Sequence, residues 1–392
     1  MEKHKVCVMT GTRAEYGLLR ELLFRLKKNE EIELEVLVTG THLMEAFGNT
    51  YQEIVQDGFI TCHTIAIPME DDSKGGMAYS TGVAISRFSE YFNSYHPELL
   101  VILGDRYEAL AIAIAAHMCG VKIAHISGGD VTEGAVDNAI RHSITQMSQL
   151  HFPGCEQSAK RVIQMGVQPS LVYNVGEPGV ENCLNIKIME RAELAKSLKF
   201  NNIFDKYAVV TYHPVTMEDN TGIQQVKELI LAMDDVPELS YIVTLANADA
   251  GGRAINKLWL EEGSKRDNWY VVPSLGLLRY LSAMKYAKAV IGNSSSGVVE
   301  APSMGVPTVN IGERQKGRMM SESVICCEPA YGDILKAIKE VLAEEFQEKA
   351  KHVVSPFGDG TTSAQIEKHI LAYLCNQNRT IEKHFYDINF EY

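Results

Sequence analysis

The stretch KVCVMTGTRAEYGLL, residues 5–19, decides the fold class of this chain. Residues 5–10 form a short β-rich run that predicts a strand, and a helical pattern follows after Gly11. A strand, a tight turn and a helix in this order begin a βαβ unit, and repeated units of this kind build a parallel sheet.

The same alternation continues along the chain and then restarts. Four more strands are predicted before a Gly-Glu-Pro-Gly turn at residues 176–179, over residues 34–39, 99–103, 121–126 and 172–175. Five are predicted after that turn, over residues 207–212, 241–245, 269–272, 289–291 and 308–311. With 392 residues and 46% apolar composition, the chain has material for two hydrophobic cores.

We therefore predict an α/β fold of two doubly wound domains that face each other across an interdomain cleft. The first domain spans residues 1–178 and is completed by a C-terminal helix over 365–392, and the second spans residues 179–364. Open α/β sheets bind ligands at the carboxyl ends of their strands, so the residues directly after each strand are the functional candidates.

Composition excludes several classes of function. A formal net charge of -13, spread along the chain, excludes a nucleic-acid surface. The 8 cysteines show no CxxC pair, so we interpret them as reduced and structural and predict no metal; a redox or metal pair at Cys326 and Cys327 is the alternative. The start lacks the ~7–15-residue apolar stretch of a signal peptide, so we expect a cytoplasmic protein that does not contact the membrane.

Charged side chains follow two strands of the first half. Arg13 can present a fixed fork to a phosphate or carboxylate, and a structural salt bridge is its alternative role. The surrounding residues are not a GxGxxG fingerprint, so no nicotinamide cofactor is predicted. Asp105 and Arg106 follow an apolar run, and Asp105 is the best catalytic candidate; capping of the next helix, worth about 1 kcal/mol, is the alternative.

The loop HISGGDVTEG, residues 125–134, is rich in glycine and carries the carboxylates of Asp130 and Glu133. The helix predicted after it brings Asp137, Arg141 and His142. Asp137 and Arg141 are i,i+4 neighbours, so a surface ion pair worth a few tenths of a kcal/mol is the alternative to a catalytic site, and His142 can be packed in the core.

Two motifs of the second half suit a phosphate ligand. His213 follows a strand, where a histidine can donate to a phosphate or shuttle a proton near neutral pH. The turn GNSSSG, residues 292–297, offers backbone N–H groups and hydroxyls to a diphosphate, although serine and asparagine are also common helix caps. Glu300, one turn further, suits ribose hydroxyls.

Seven strings in one order resemble the UDP-N-acetylglucosamine 2-epimerase family, in its hydrolysing branch from sialic-acid and legionaminic-acid pathways. They are GTRAEYG, GDRYEAL, HISGGD, IRHSI, YHPVT, GNSSSG and IGERQKGR. The resemblance spans nearly the whole chain. It implies two Rossmann-like domains of the GT-B type, UDP binding in the second domain, no cofactor, and a homo-oligomer, either a dimer or a tetramer.

The resemblance also implies roles for individual residues. Proton transfer falls to Asp105 and Asp137, with His213 beside the sugar and phosphates. The residues expected to bind the UDP-sugar are Arg13, Glu15, His42, Arg106, Arg141, Asn247, Ser294, Ser295, Ser296, Gly297, Glu300 and Arg314. One position departs from the family: many hydrolysing relatives carry a glutamate, thought to be catalytic, where this chain has Ser127. Asp130 and Glu133 are the nearby carboxylates that can replace it.

The chemistry that the resemblance implies is elimination of UDP to a 2-acetamidoglucal, followed by addition of water with inversion at carbon 2. The expected substrate is UDP-N-acetylglucosamine, giving N-acetylmannosamine. A UDP-2,4-diacetamido-2,4,6-trideoxy sugar is the alternative donor. A glycosyltransferase of the same architecture and a catalytically silent nucleotide-sugar sensor are the rival functions.

Overall fold

The computed structural model describes residues 3–59, 62–71, 73–132, 136–199, 206–214, 221–246, 252–376 and 383–389. Its strands are β1 (His4–Thr10), β2 (Ile32–Val38), β3 (Cys62–Thr64), β4 (Leu99–Leu103), β5 (Lys122–Ile126), β6 (Leu150–Phe152), β7 (Tyr207–Thr211), β8 (Ser240–Thr244), β9 (Trp269–Val272), β10 (Ala289–Gly292), β11 (Thr308–Ile311) and β12 (Val324–Cys327). Its α-helices are α1 (Arg13–Lys28), α2 (Tyr51–Gln56), α3 (Lys74–Ser94), α4 (Tyr107–Met118), α5 (Val136–Met147), α6 (Glu156–Gln164), α7 (Pro178–Asn185), α8 (Arg191–Leu198), α9 (Thr221–Asp234), α10 (Gly252–Gly263), α11 (Gly276–Tyr286), α12 (Ser295–Ser303), α13 (Tyr331–Leu342), α14 (Glu344–Lys351) and α15 (Thr362–Cys375). None of the helices in these ranges has both the length and the apolar character that a membrane span requires.

The chain divides into two compact units. The first comprises the described parts of Met1–Asp130, Asp137–Pro178 and Thr361–Tyr392, and the second those of Val131–Val136 and Gly179–Gly360. The first unit has a 6-stranded sheet in the order β3-β2-β1-β4-β5-β6, and the second a 6-stranded sheet in the order β12-β11-β10-β7-β8-β9. Because the strand order reverses beside β1 and beside β7, both sheets are doubly wound, and the predicted α/β fold class is confirmed.

Each sheet is covered on both faces, which explains why its central strands are continuous apolar runs. Val6 and Val8 of β1 pack on the face covered by α1 and α15, while Cys7 and Met9 pack on the face covered by α3 and α4. All four side chains are buried. Central strands of this kind hold their carboxyl ends, and the residues that follow them, in fixed positions.

Short elements and one terminal helix differ from the sequence prediction. The strands β3, β6 and β12 are only three or four residues long and were not predicted. The strand predicted over residues 172–175 is wrong: Val172 makes one isolated bridge to His151, and Pro153 has no N–H to continue the ladder. The helix predicted over 365–392 is also wrong in extent, since it starts at Thr362, ends at Cys375, and leaves residues 383–389 non-helical.

Candidate functional site

Glu15 organises the turn after β1. Thr12 caps α1 by accepting a hydrogen bond from the Glu15 backbone N–H at 3.2 Å, and the Glu15 carboxylate accepts from the backbone N–H groups of Gly11 and Thr12 at 2.7 and 3.1 Å. Burial raises the pKa of Glu15 to about 7; Arg106 opposes the rise, and Glu108 adds to it. The predicted substrate contact Glu15 therefore completes the cap of its own helix.

The two arginines predicted near this turn both contact carboxylates. Arg106 donates to Glu108 at 3.1 Å and lies 4.0 Å from Glu15. Arg13 projects outward, with 53% of its side chain exposed, and pairs with Glu53 at 2.9 Å. A surface pair of this kind stabilises the fold by about 1 kcal/mol or less, so Arg13 can exchange its partner for a ligand at little cost.

His42 lies under the same turn and is fully buried. Its Nε2 lies 3.0 Å from Thr10 Oγ1 and its Nδ1 lies 2.8 Å from Thr50 Oγ1. Burial lowers the pKa of His42 to about 4, so the ring is neutral near neutral pH. The structure thus places this predicted ligand contact beneath the surface, where it braces the turn.

Asp105, Asp130 and Arg141 form one cluster after β4 and β5, which we call the carboxylate cluster. The buried Arg141 guanidinium donates to the Asp105 carboxylate and, at 2.9 Å, to the backbone carbonyl of Asp130. Asp105 keeps 25% of its side chain exposed. The helix cap of α4 is Arg106 and not Asp105, so the capping role considered for Asp105 is wrong.

The Asp130 side chain is buried, unlike that of Asp105. Its Oδ1 accepts a hydrogen bond from Ser158 Oγ at 2.5 Å, and both residues are buried. Gly129, at φ +82°, passes so close to the Ser158 carbonyl that a Cβ would overlap it. Asp130 is therefore fixed by packing and hydrogen bonding, and Asp105 is the exposed carboxylate of the cluster.

Asp137 and His142 lie on α5. Asp137 is exposed in the first turn of that helix, and His142 is half-buried. Burial and the neighbouring Arg141 lower the pKa of His142. Glu133, the other predicted acid of the loop, lies outside the described residues.

A further carboxylate, missed in the sequence, lies beside the glycine-rich loop. Ser127 adopts a left-handed backbone conformation with φ 60°, and its hydroxyl donates to Glu177 Oε2 at 2.7 Å. Glu177 belongs to the Gly-Glu-Pro-Gly turn, residues 176–179, which was predicted only as the boundary between the two domains. The available sequence signal for this contact was Ser127, a polar residue that lies beside Gly128 and Gly129 at the end of a strand.

In the second unit, Asn293 joins the segments after β7 and β10. Its side-chain oxygen accepts from the backbone N–H of His213 at 2.7 Å, and its side-chain nitrogen donates to the carbonyl of His213 at 2.8 Å. Its own carbonyl accepts from Arg314 at 3.1 Å and from Gln315 at 2.9 Å. Burial, and next the charge of Arg314, lower the pKa of His213 to about 3. His213 is therefore neutral near neutral pH.

The serine turn, residues 294–297, starts α12. Ser294 is the helix cap, and its hydroxyl accepts from the backbone N–H of Ser296 at 3.4 Å. Ser295 is exposed, and Ser296 Oγ lies 2.5 Å from the hydroxyl of Tyr280. A Cβ on Gly297 would lie 2.9 Å from the Thr308 methyl group, so only glycine fits there. A helix N-terminus with two adjacent hydroxyls can bind a phosphate anion.

Glu300 lies one turn into α12 and packs against the backbone of Gly179, where a Cβ would overlap its carboxylate. Burial raises the pKa of Glu300 to about 7, against the opposing charge of Arg318. Asn247, predicted to contact the sugar, lies outside the described residues. Within the described ranges, no group of three or more His, Cys, Asp or Glu side chains is arranged to hold a metal ion.

Comparison with known proteins places these features in a family. Residues 25–371 match the family model described as UDP-N-acetylglucosamine 2-epimerase. The chain is 37% identical over 351 residues to the GDP/UDP-N,N'-diacetylbacillosamine 2-epimerase (hydrolyzing) of Campylobacter jejuni, across 89% of this chain and 90% of that protein. It is 35% identical over 385 residues to polysialic acid biosynthesis protein P7 of Escherichia coli, across 98% and 97% of the two chains.

A solved structure shares the fold. The crystal structure of UDP-GlcNAc 2-epimerase from Neisseria meningitidis bound to UDP-GlcNAc matches with a TM-score of 0.80, across 94% of this chain and 100% of that chain. The sequence identity of that pair is 19%. The match therefore extends the likeness from sequence to the arrangement of strands and helices.

Proposed function

The chain belongs to the UDP-N-acetylglucosamine 2-epimerase family, and from this membership we propose that it hydrolyses a UDP-2-acetamido sugar with inversion at carbon 2. The observation that carries the proposal is the contact between Asp105 and Arg141. A carboxylate at a strand end that is held by a buried guanidinium and still partly exposed is suited to proton transfer on a bound sugar.

The chemistry has two stages. In the first, carbon 2 loses its proton, the C–H electron pair forms the C1=C2 double bond, and the C1–O electron pair leaves with UDP. In the second, water adds at carbon 1 and loses a proton, while carbon 2 gains a proton on the opposite face. We assign the two proton transfers of this second stage to Asp105 and Asp137.

The departing diphosphate carries negative charge that has to be neutralised. We assign this role to the serine turn, whose backbone N–H groups lie at the positive end of α12, and to Arg314 beside it. Glu300, one turn into the same helix and half-buried, is assigned to the ribose hydroxyls. The predicted contacts Arg13 and Asn247 complete the proposed set of diphosphate and sugar ligands.

Two donors are candidates. UDP-N-acetylglucosamine would give N-acetylmannosamine and UDP. UDP-N,N'-diacetylbacillosamine is favoured by one observation, because the Campylobacter jejuni relative that is 37% identical carries that sugar in its name. The two donors differ in the substituents at carbons 4 and 6, so they share the proposed chemistry at carbons 1 and 2.

The test is a product analysis by NMR with each donor in D2O. We expect free UDP and a free sugar with inverted configuration and deuterium at carbon 2, and the ratio of kcat/KM for the two donors identifies the substrate. A product without deuterium at carbon 2 would rule out the mechanism. UDP release that requires a sugar acceptor would indicate a glycosyltransferase, and tight UDP binding without turnover would indicate a sensor.

A further inference from the structure

Ser127 and Glu177 form a contact between the glycine-rich loop and the turn that ends the first unit. The Ser127 hydroxyl donates to Glu177 Oε2 at 2.7 Å, although the two residues are 50 positions apart. Both residues are partly exposed, with Glu177 Oε1 itself buried against Gly154. The contact therefore brings a carboxylate to the glycine-rich loop from another part of the chain.

The neighbouring backbone leaves room for this carboxylate. Gly154, at the start of the turn after β6, approaches Glu177 so closely that a Cβ would overlap the carboxylate and the carbon next to it. Thr362 holds the adjacent backbone by donating to the carbonyl of Val175 at 3.0 Å. A hydroxyl donor on one side and a glycine on another fix the position of Glu177.

The contact lies at the same edge of the sheet as the carboxylate cluster. β4 and β5 are neighbours, and the backbone N–H of Gly104 donates to the carbonyl of Ile126 at 3.1 Å. Asp105 directly follows Gly104, and Ser127 directly follows Ile126. The same strand ends therefore carry both Asp105 and the serine that holds Glu177.

Resting on the proposed function, we propose that Glu177 is the base that removes the proton from carbon 2 during loss of UDP. The proton passes to Glu177, the C–H electron pair forms the C1=C2 bond, and the C1–O electron pair leaves with UDP. The hydroxyl of Ser127 holds the carboxylate in place for this transfer. Ser127 is a positioning residue, and Asp105 and Asp137 keep the two transfers of the hydration step.

The test uses the full chain with Glu177→Gln, Ser127→Ala and the double exchange Ser127→Glu with Glu177→Ser. We expect Glu177→Gln to lower kcat by at least about 100-fold with UDP affinity within about twofold of wild type, because base catalysis contributes about 10²–10⁴-fold. The double exchange should recover at least about tenfold over Glu177→Gln. Ser127→Ala should keep turnover at a lower kcat with KM unchanged, because the carboxylate loses the hydroxyl that holds it in place.

Gly154→Ala tests the geometry, with Gly82→Ala as its matched control. The added Cβ at Gly154 displaces Glu177, so kcat should fall at least about tenfold, whereas the space around Gly82 is open and kcat should not change. Glu177→Gln with kcat within about threefold of wild type would overturn the inference, as would a parallel loss of UDP affinity. An inactive wild type would overturn the proposed function itself, so the two failures are distinguishable.

Discussion

Arg141 donates to the carboxylate of Asp105 across 36 positions of the chain and joins α5 to the end of β4. Only 3% of the Arg141 side chain is exposed, compared with 25% for Asp105. A guanidinium buried to this degree needs a charged partner, since an unpaired charge in the protein interior is costly. The pair therefore serves the fold and, in the proposed mechanism, the reaction.

The first prediction concerns Asp105→Asn. The amide keeps the shape and one hydrogen bond to Arg141 but cannot transfer a proton, so we expect kcat to fall at least about 100-fold while UDP affinity stays unchanged. The free energy of unfolding should fall by about 1–3 kcal/mol because Arg141 loses its charged partner. Turnover assays, UDP titration and urea unfolding measure the three effects.

Asp267→Asn is the control for that variant, because Asp267 is an exposed carboxylate of the second unit. It should leave all three quantities unchanged. Normal turnover by Asp105→Asn would remove Asp105 from the mechanism. A loss of UDP affinity equal to the loss of turnover would instead mark a general disruption of the fold.

The second prediction separates helix capping from phosphate binding at the serine turn. Ser294→Ala removes the cap of α12, and we expect a loss of about 1 kcal/mol in stability together with about 3- to 10-fold weaker UDP binding. Ser73→Ala is the matched control, since Ser73 caps α3 in the first unit by accepting from the backbone N–H of Gly76 at 3.0 Å. Ser73→Ala should lower the free energy of unfolding by a similar amount without changing UDP affinity. If Ser73→Ala and Ser294→Ala changed UDP affinity equally, the assignment of the serine turn to phosphate binding would be wrong.

The local sequence pattern predicted where the strands of this chain end. It did not predict which residues from distant parts of the chain contact those strand ends. The apolar runs located β1, β4, β7 and β10 to within one or two residues, because a strand buried on both faces is apolar throughout. Asp105 and the serine turn were found as the polar residues that follow such strands. The contact of Arg141 with Asp105 was not predicted, because helical spacing pointed only to its i,i+4 neighbour Asp137.

Glu177 was missed for a related reason. Glycine and proline surround Glu177 and predict a turn. Turn residues are usually interpreted as connections between helices and strands, and not as functional side chains. The contact of Glu177 with Ser127 depends on Gly154, whose lack of a side chain leaves room for the Glu177 carboxylate. The sequence alone contains no spacing rule for a contact of this kind.

The third prediction uses the buried histidine His42. Its pKa in the fold is about 4, below its unfolded value of about 6.5, so the unfolded state binds more protons between these values. The contribution of this neutral ring to stability is complete above pH 6.5 and falls by at most about 1.4 kcal/mol per pH unit below it. His42→Gln should therefore lose less stability than wild type between pH 6.5 and 4.5 in urea unfolding.

His117→Gln serves as the control for that measurement, because His117 is exposed on α4. Its unfolding free energy should follow the wild-type pH dependence throughout. The same acid-induced loss in His42→Gln as in wild type would show that the ring of His42 is not held neutral by the fold.

The last prediction concerns Glu300 and the pH dependence of UDP binding. Its pKa is raised to about 7 by burial, so the carboxyl is mostly neutral at pH 6 and mostly ionised at pH 8. An ionised carboxylate accepts hydrogen bonds from ribose hydroxyls more strongly than a neutral one, so UDP should bind about 3- to 10-fold more tightly at pH 8 than at pH 6, with proton release. Glu300→Gln should remove this difference, because it removes the ionisable carboxyl group. The wild-type protein with 2',3'-dideoxy-UDP should also show no difference, because that ligand lacks the ribose hydroxyls. Calorimetry in two buffers of different ionisation enthalpy measures both affinity and proton release. A pH dependence that persists in Glu300→Gln would place its origin in the diphosphate or another side chain and exclude Glu300 as the ribose ligand.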